Sequence, residues 1–140
     1  MGSPKAILRK GYIDKLSGAV VSGKTIPVYD LFAQDDALDA YIVIGSYNST
    51  ELRTKCKDDH NPSVTVEVYT KFKKQGGSLL ADQIADMVID RIKANNLDLS
   101  PNFILLSTQL LSDNDLQGFD TDYKVYRRIL RFGHIIQTLN

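Results

Sequence analysis

The sequence predicts an α+β fold, an antiparallel sheet of about four main strands with two helices packed on one face. Three observations carry that expectation. Residues 63–72 alternate, with Val64, Val66 and Val68 set against Thr65, Glu67 and Tyr69, the period of a strand with one buried face. Leu80, Ile84, Met87, Val88 and Ile92 recur at the spacing of one helical face. Residues 123–138 read as a long strand, with Val125, Ile129 and Ile135 on one side and Leu130, Phe132 and Ile136 on the other. Hairpin-like connections between the strands favour antiparallel pairing and segregated helices.

Each element has a local reason. Ser3 suits an N-cap and Pro4 the first helical position. Ile7, Leu8, Tyr12 and Leu16 then mark a short amphipathic helix over residues 4–16, ended by Ser17-Gly18. Ala19-Val20-Val21 reads as a short strand and Ser22-Gly23-Lys24 as a turn. Pro27 fixes its own φ and biases Ile26 away from helix, so residues 26–29 are extended. Residues 30–39 form an acid-rich connection. Residues 40–47 are dense in β-branched and aromatic side chains and read as a strand. Residues 48–62 are mostly polar and read as a long loop, a length usually tied to function or mobility. Gln75-Gly76-Gly77 breaks the following strand, Ser78 caps the second helix, and Asn95-Asn96 stops it near Ala94. Pro101 precedes a strand over residues 103–111. Residues 113–122, with four aspartates and Gly118, read as a hairpin connection into the last strand.

Composition narrows the function. The 140 residues make one ordinary domain, spanning 1–140. Lys plus Arg number 17, and Asp plus Glu also number 17. Zero net charge offers no global attraction to nucleic acid or to an anionic membrane. Cys56 is the single cysteine, so no internal disulfide forms, and between Lys55 and Lys57 it reads as an incidental loop thiol. No N-terminal apolar stretch of signal length and no run of membrane-spanning length occurs. The expectation is a chain made and folded in a cytoplasm, without a membrane partner.

Reactive grammar is missing. His60 and His134 stand far apart, and Asp58-Asp59-His60 has no further histidine at ligand spacing. His134, between Gly133 and Ile135, reads as a structural or edge histidine. No G-x-S-x-G, C-x-x-C or H-E-x-x-H motif occurs. Gly76-Gly77-Ser78 could offer an anion a helix N-terminus, but without the P-loop lysine it reads as a break and a cap. Asp35-Asp36 and the other acid pairs read as solvated turns. The expectation is no enzyme, no cofactor and no metal.

Four segments resemble the tail-completion proteins of long-tailed bacteriophages, the minor tail family that includes tail terminators and head-to-tail joining proteins. They are I-P-V-Y-D at residues 26–30, A-Y-I-V-I-G at 40–45, T-K at 54–55 followed by V-T-V-E-V-Y at 64–69, and a glycine break followed by L-L-A-D-Q-I-A-D-M-V. An acidic hairpin and an arginine-bearing last strand complete the order. The sequence departs at Ala40, where the family usually has proline, and at Tyr69-Thr70, where Trp-Ser is frequent. The resemblance implies a virion structural protein that forms a ring, commonly of six subunits, at the head-proximal end of the tail. Such a ring terminates the tail tube and joins it to the head connector. It implies as partners further copies of the chain, the tail tube protein, the head-tail connector protein and transient, non-specific DNA in the lumen.

Candidate contact residues follow from charge. Asp113, Asp115, Asp120 and Asp122 could face Lys124, Arg127, Arg128 and Arg131 across a ring interface, which needs two unlike complementary surfaces. Ordinary pairing inside one subunit explains the same charges. The polar loop, with Glu51, Arg53, Lys55, Lys57, Asp58 and Asp59, could reach the tube or the connector. Two rivals remain open: a neck or soluble partner-binding adaptor of the same fold, and a small metal-dependent hydrolase using Asp58, Asp59 and His60.

Overall fold

The computed structural model describes residues 3–34, 39–53, 58–72, 78–120 and 123–139, with the side chains of 50–53, 58 and 120 outside the description. The order is α1 (Lys5–Leu16), β1 (Val20–Val21), β2 (Lys24–Thr25), β3 (Val28–Asp30), β4 (Ala40–Arg53), β5 (Asp58–Phe72), α2 (Leu79–Lys93), β6 (Phe103–Asp120) and β7 (Tyr123–Thr138). The main sheet runs β3-β4-β5-β7-β6, and β1-β2 form a separate ribbon.

Both helices cover one face of this sheet, as expected. Leu8, Tyr12 and Leu16 of α1 and Ala81, Ile84, Ala85, Val88 and Ile92 of α2 bury against Ile42, Ile44, Val64, Val66, Val68, Leu130, Phe132 and Ile136. The alternating valines of β5 all point into this core, and each is fully buried. Fully burying such a side chain stabilises by roughly 1.5–3 kcal/mol.

The sheet differs from the expectation in three ways. It has five strands and is mixed, because β3 pairs parallel to β4 through Val28↔Ile42, Tyr29↔Val43 and Asp30↔Ile44.

The polar stretch 48–62 is not one long loop. β4 and β5 continue through it as a paired ladder, Asn48↔Ser63 to Arg53↔Asp58. Backbone bonds hold polar residues in a ladder as well as apolar ones, so polarity hid a strand with little buried side chain. Residues 54–57, including Lys55 and Lys57, lie outside the described residues.

The acidic stretch from Asp113 is likewise strand rather than connection. β6 runs to Asp120, paired with β7 as far as Asp120↔Tyr123. Asp122 lies outside the described residues. Two bulges interrupt β6, each placing one extra residue, Leu106 and Leu111, between paired neighbours. They fall on the doubled leucines Leu105-Leu106 and Leu110-Leu111, which break the two-residue alternation. Gly133 lies beneath the second bulge, and a Cβ there would come within 2.9 Å of Leu111 Cδ1.

The helix ends refine the capping assignments. Pro4 occupies the N-cap position of α1, and Ser3 Oγ accepts the Lys5 N–H at 3.1 Å. Ser78 occupies the N-cap position of α2 without a side-chain capping bond. Asn95 stops α2 in the left-handed conformation, φ 58°. Ser22 and Gly23 both take positive φ in the turn of the β1-β2 ribbon, as a two-residue hairpin requires.

Candidate assembly interface

The helix-free face of the sheet carries an aromatic and charged ladder. Tyr29 meets Tyr41 edge-on at 5.7 Å. Tyr41 stacks on Tyr69 at 4.9 Å, and the Arg127 guanidinium lies 6.0 Å from the Tyr69 ring centre. Register produces this row, since Tyr41, Tyr69 and Arg127 are successive cross-strand partners. Burial, followed by the nearby Tyr69, raises the Tyr41 pKa above the ordinary tyrosine value. Arg127 pairs with Glu67, and Arg131 Nη2 reaches Ser63 Oγ at 3.2 Å.

On the helix side, Arg128 is a hub. Its Nη1 donates to Asp82 of α2 at 2.6 Å, and its Nε donates to Asp113 of β6 at 2.9 Å, with Nη2 on the other carboxylate oxygen. Only 14% of the Arg128 side chain is exposed. The Asp113 hydrogen bonds raise its pKa further, so it stays charged. Beside it, the Tyr126 hydroxyl donates to Asp115 at 2.9 Å. Of the predicted acidic and basic sets, only Arg128 and Asp113 meet among the described side chains, within one subunit, where Arg128 clamps α2 to β6; Arg127 and Arg131 turn instead to Glu67 and Ser63 on the other face. Arg128→Ala is expected to lower stability by about 2–3 kcal/mol, since hydrogen bonds to charged groups are worth roughly 1.5–3 kcal/mol. Urea unfolding reads this. Arg128→Lys is expected to recover less than half of the loss, because an ammonium cannot span both carboxylates as a planar fork does.

Of the Asp58-Asp59-His60 triplet, the side chains of Asp59 and His60 are described. Alternation along β5 points Asp59 and His60 to opposite faces. His60 Nε2 lies 3.2 Å from Thr138 Oγ1, and its ring meets Phe103 edge-on at 6.0 Å. Among the described residues no cluster of three or more His, Cys, Asp or Glu side chains could hold a metal. The side chains of Glu51, Arg53 and Asp58 lie outside the described residues.

The two edges of the sheet are unlike. β3 is three residues long, and Arg9 of α1 secures it by pairing with Asp30 while donating to the carbonyls of Ile44 at 2.8 Å and Gly45 at 2.6 Å. These carbonyls sit where the β4 register shifts, between Ile44 and Tyr47. β6 is eighteen residues long and its outer side pairs with no strand among the described residues. Leu116 and Phe119 on it are 51% and 83% exposed. A cleft of about 630 Å³ opens beside its end, with Phe119, Asp115 and Tyr126 in its wall. Sequence reasoning missed this edge because it took the acidic half of β6 for a turn. Its signal was Leu116 and Phe119 set among acids without any base.

The sequence placed Tyr12 on the apolar stripe of α1 and read His134 as a structural or edge residue, but the polar network that joins them was missed. Tyr12 and His134 are bonded to one another in the core, His134 Nδ1 lies 3.0 Å from Thr108 Oγ1, and Thr108 donates to Asn95 Oδ1 at 2.7 Å. The single Thr108 proton is committed to Asn95, so Thr108 accepts from His134 Nδ1–H. His134 Nε2 therefore accepts from the Tyr12 hydroxyl. Burial raises the Tyr12 pKa well above its ordinary value and keeps that proton in place.

A family model described as Tail completion protein gp17 matches residues 16–137. No curated protein matches significantly. Among solved structures, a chain from the virion of native gene transfer agent (GTA) particle has a TM-score of 0.79 at 18% identity, covering 98% of this chain and 99% of that chain. At that identity the likeness is one of fold, and it spans both helices and the whole sheet. With the family model matched over most of its length, the chain belongs to the Tail completion protein gp17 family.

Proposed function

We propose that copies of this chain close into a ring at the head-proximal end of the virion tail, ending the tail tube and joining it to the head connector. Family membership carries the coarser part, a structural protein of the virion tail. The observation that favours a ring is the unlike pair of sheet edges, three residues of β3 at one end and eighteen of β6 at the other. A closed ring needs two different surfaces that fit one another, whereas a two-fold dimer needs only one self-complementary patch. Six copies, the number common in the family, is the proposed stoichiometry. One rim of the ring would match the last tube ring and the other the connector. DNA would pass through the lumen without base-specific contact, in keeping with zero net charge.

Light scattering over a wide concentration range, with negative-stain images of the highest, tests the reading. The expected result is a closed ring whose mass is about six times the 15.6 kDa chain. A stable two-fold dimer as the end state would overturn it.

A further inference from the structure

We infer that neighbouring copies meet through opposite ends of this sheet, with the free edge of β6 in one copy lying against the α1–β3 edge of the next. The inference rests on the ring reading and names its contact surfaces.

The β6 edge is unprotected in its second half. Both bulges lie before residue 112, and from Ser112 to Asp120 the pairing with β7 is uninterrupted. Monomeric proteins blunt such edges with lysine, proline or bulges. β6 contains no Lys, Arg or Pro along its whole length. Exposed Leu116 and Phe119 stand there; Asp113 is taken by Arg128, while Asp115 accepts the neutral Tyr126 hydroxyl and keeps its charge at this edge.

The other end of the sheet has the opposite character. α1 carries Lys5, Arg9, Lys10 and Lys15 against the single acid Asp14. Arg9 is occupied by Asp30 and Lys10 lies 3.3 Å from Asp14, which leaves Lys5 and Lys15 as the outward charge. A shallow groove of about 560 Å³ runs along α1 beside the end of β3, lined by Ala6 and Ile13 between Lys5 and Lys10. Leu31, held at φ 68°, follows β3 directly, and Phe32 beyond it is 81% exposed. One edge sets exposed apolar residues beside the charge of Asp115, and the other sets them beside that of Lys5. Charge complementarity of this kind selects partner and register, and it selects a second copy of this chain. Because β3 and β6 are the two ends of one sheet, each copy uses one end as donor and the other as acceptor, and the contact is head-to-tail.

Two single-sided chains test this. The first carries Leu116→Lys with Phe119→Lys, and the second carries Lys5→Glu with Phe32→Glu. All four positions are exposed in the subunit, and circular dichroism with thermal melts checks that both chains fold as the parent does. Each alone is expected to stay at the 15.6 kDa chain mass, because each has lost one half of the contact. Mixed in equal amounts they are expected to give a species of twice that mass and to stop there. If the parent forms rings and either variant alone still forms them, the edge pairing is overturned while the ring stands. If the mixture stays at the single-chain mass at the highest concentration reached, the edge pairing is overturned whatever the parent does. A parent that ends as a two-fold dimer counts against the ring, and the mixture still decides the edges.

Discussion

Tyr12→Ala is expected to lower the unfolding free energy by about 3–5 kcal/mol, the range for removing a buried aromatic ring. Tyr12 is fully buried between α1 and the sheet, with Phe132 at 6.2 Å and His134 edge-on at 5.6 Å. Two terms add: the cavity left by the ring, and the His134 Nε2 left without its donor. Tyr12→Phe separates them. It keeps the ring and removes only the hydroxyl, at an expected cost of about 1–2 kcal/mol for one buried acceptor left unpaired. Chemical denaturation of the three proteins at pH 8 measures both steps. Equal losses for the two variants would show that the hydroxyl, rather than the ring, carries the stability of α1 on the sheet.

The second expected result is a loss of stability in mild acid. Burial lowers the His134 pKa from 6.5 to about 4, so the folded chain keeps this imidazole neutral. Above pH 6.5 both folded and unfolded chains hold it neutral, and it contributes nothing to pH dependence. Between pH 6.5 and about 4 the unfolded chain takes up the proton while the folded chain does not, and stability falls as pH falls. Below about pH 4 both states are protonated and the loss is constant. At 1.36 kcal/mol per pKa unit the full loss is about 3 kcal/mol. Protonation is opposed by geometry as well as burial, since the added proton would sit on Nε2, where the Tyr12 hydroxyl already points. The measurement is a series of urea midpoints from pH 8 to pH 4 for the parent and for His134→Gln. The parent midpoint is expected to drop through this window and the variant's to stay nearly level. Matching slopes would assign the dependence to other groups.

What the sequence disclosed depended on burial. β5 was legible because Val64, Val66 and Val68 alternate against polar neighbours and all three enter the core. α2 was legible for the same reason at the helical period, and Asn95 ended it as its tolerance of left-handed backbone predicts. Where the sheet extends past its core, the apolar alternation fades and polar residues carry the ladder. That is why residues 48–53 and 58–62 read as loop, and why β6 beyond Ser112 read as turn. The parallel β3 was illegible for another reason: three residues carry too little pattern to state their direction. The candidate surfaces divide the same way. The charges of residues 113–131 were visible, but their pairing was not. Arg128 bridges residues 46 positions away on α2 and 15 away on β6, a meeting that only the register of β6 on β7 creates.

The strand order also sets the sequence of events in folding. β4 with β5 and β6 with β7 are hairpins whose contacts are local, while the β5–β7 seam joins distant parts of the chain, as where the Thr70 hydroxyl donates to the Tyr126 carbonyl 56 positions on. Local pairs close quickly and distant ones slowly. The two hairpins are therefore expected to form as separate halves, with closing of the seam as the slow step. Until it closes, each half exposes an inner strand with the same unpaired backbone that the finished sheet keeps only at its rim. Closing the seam, with α2 laid across it, thus ends the unfinished chain's exposure to pairing with the wrong strand.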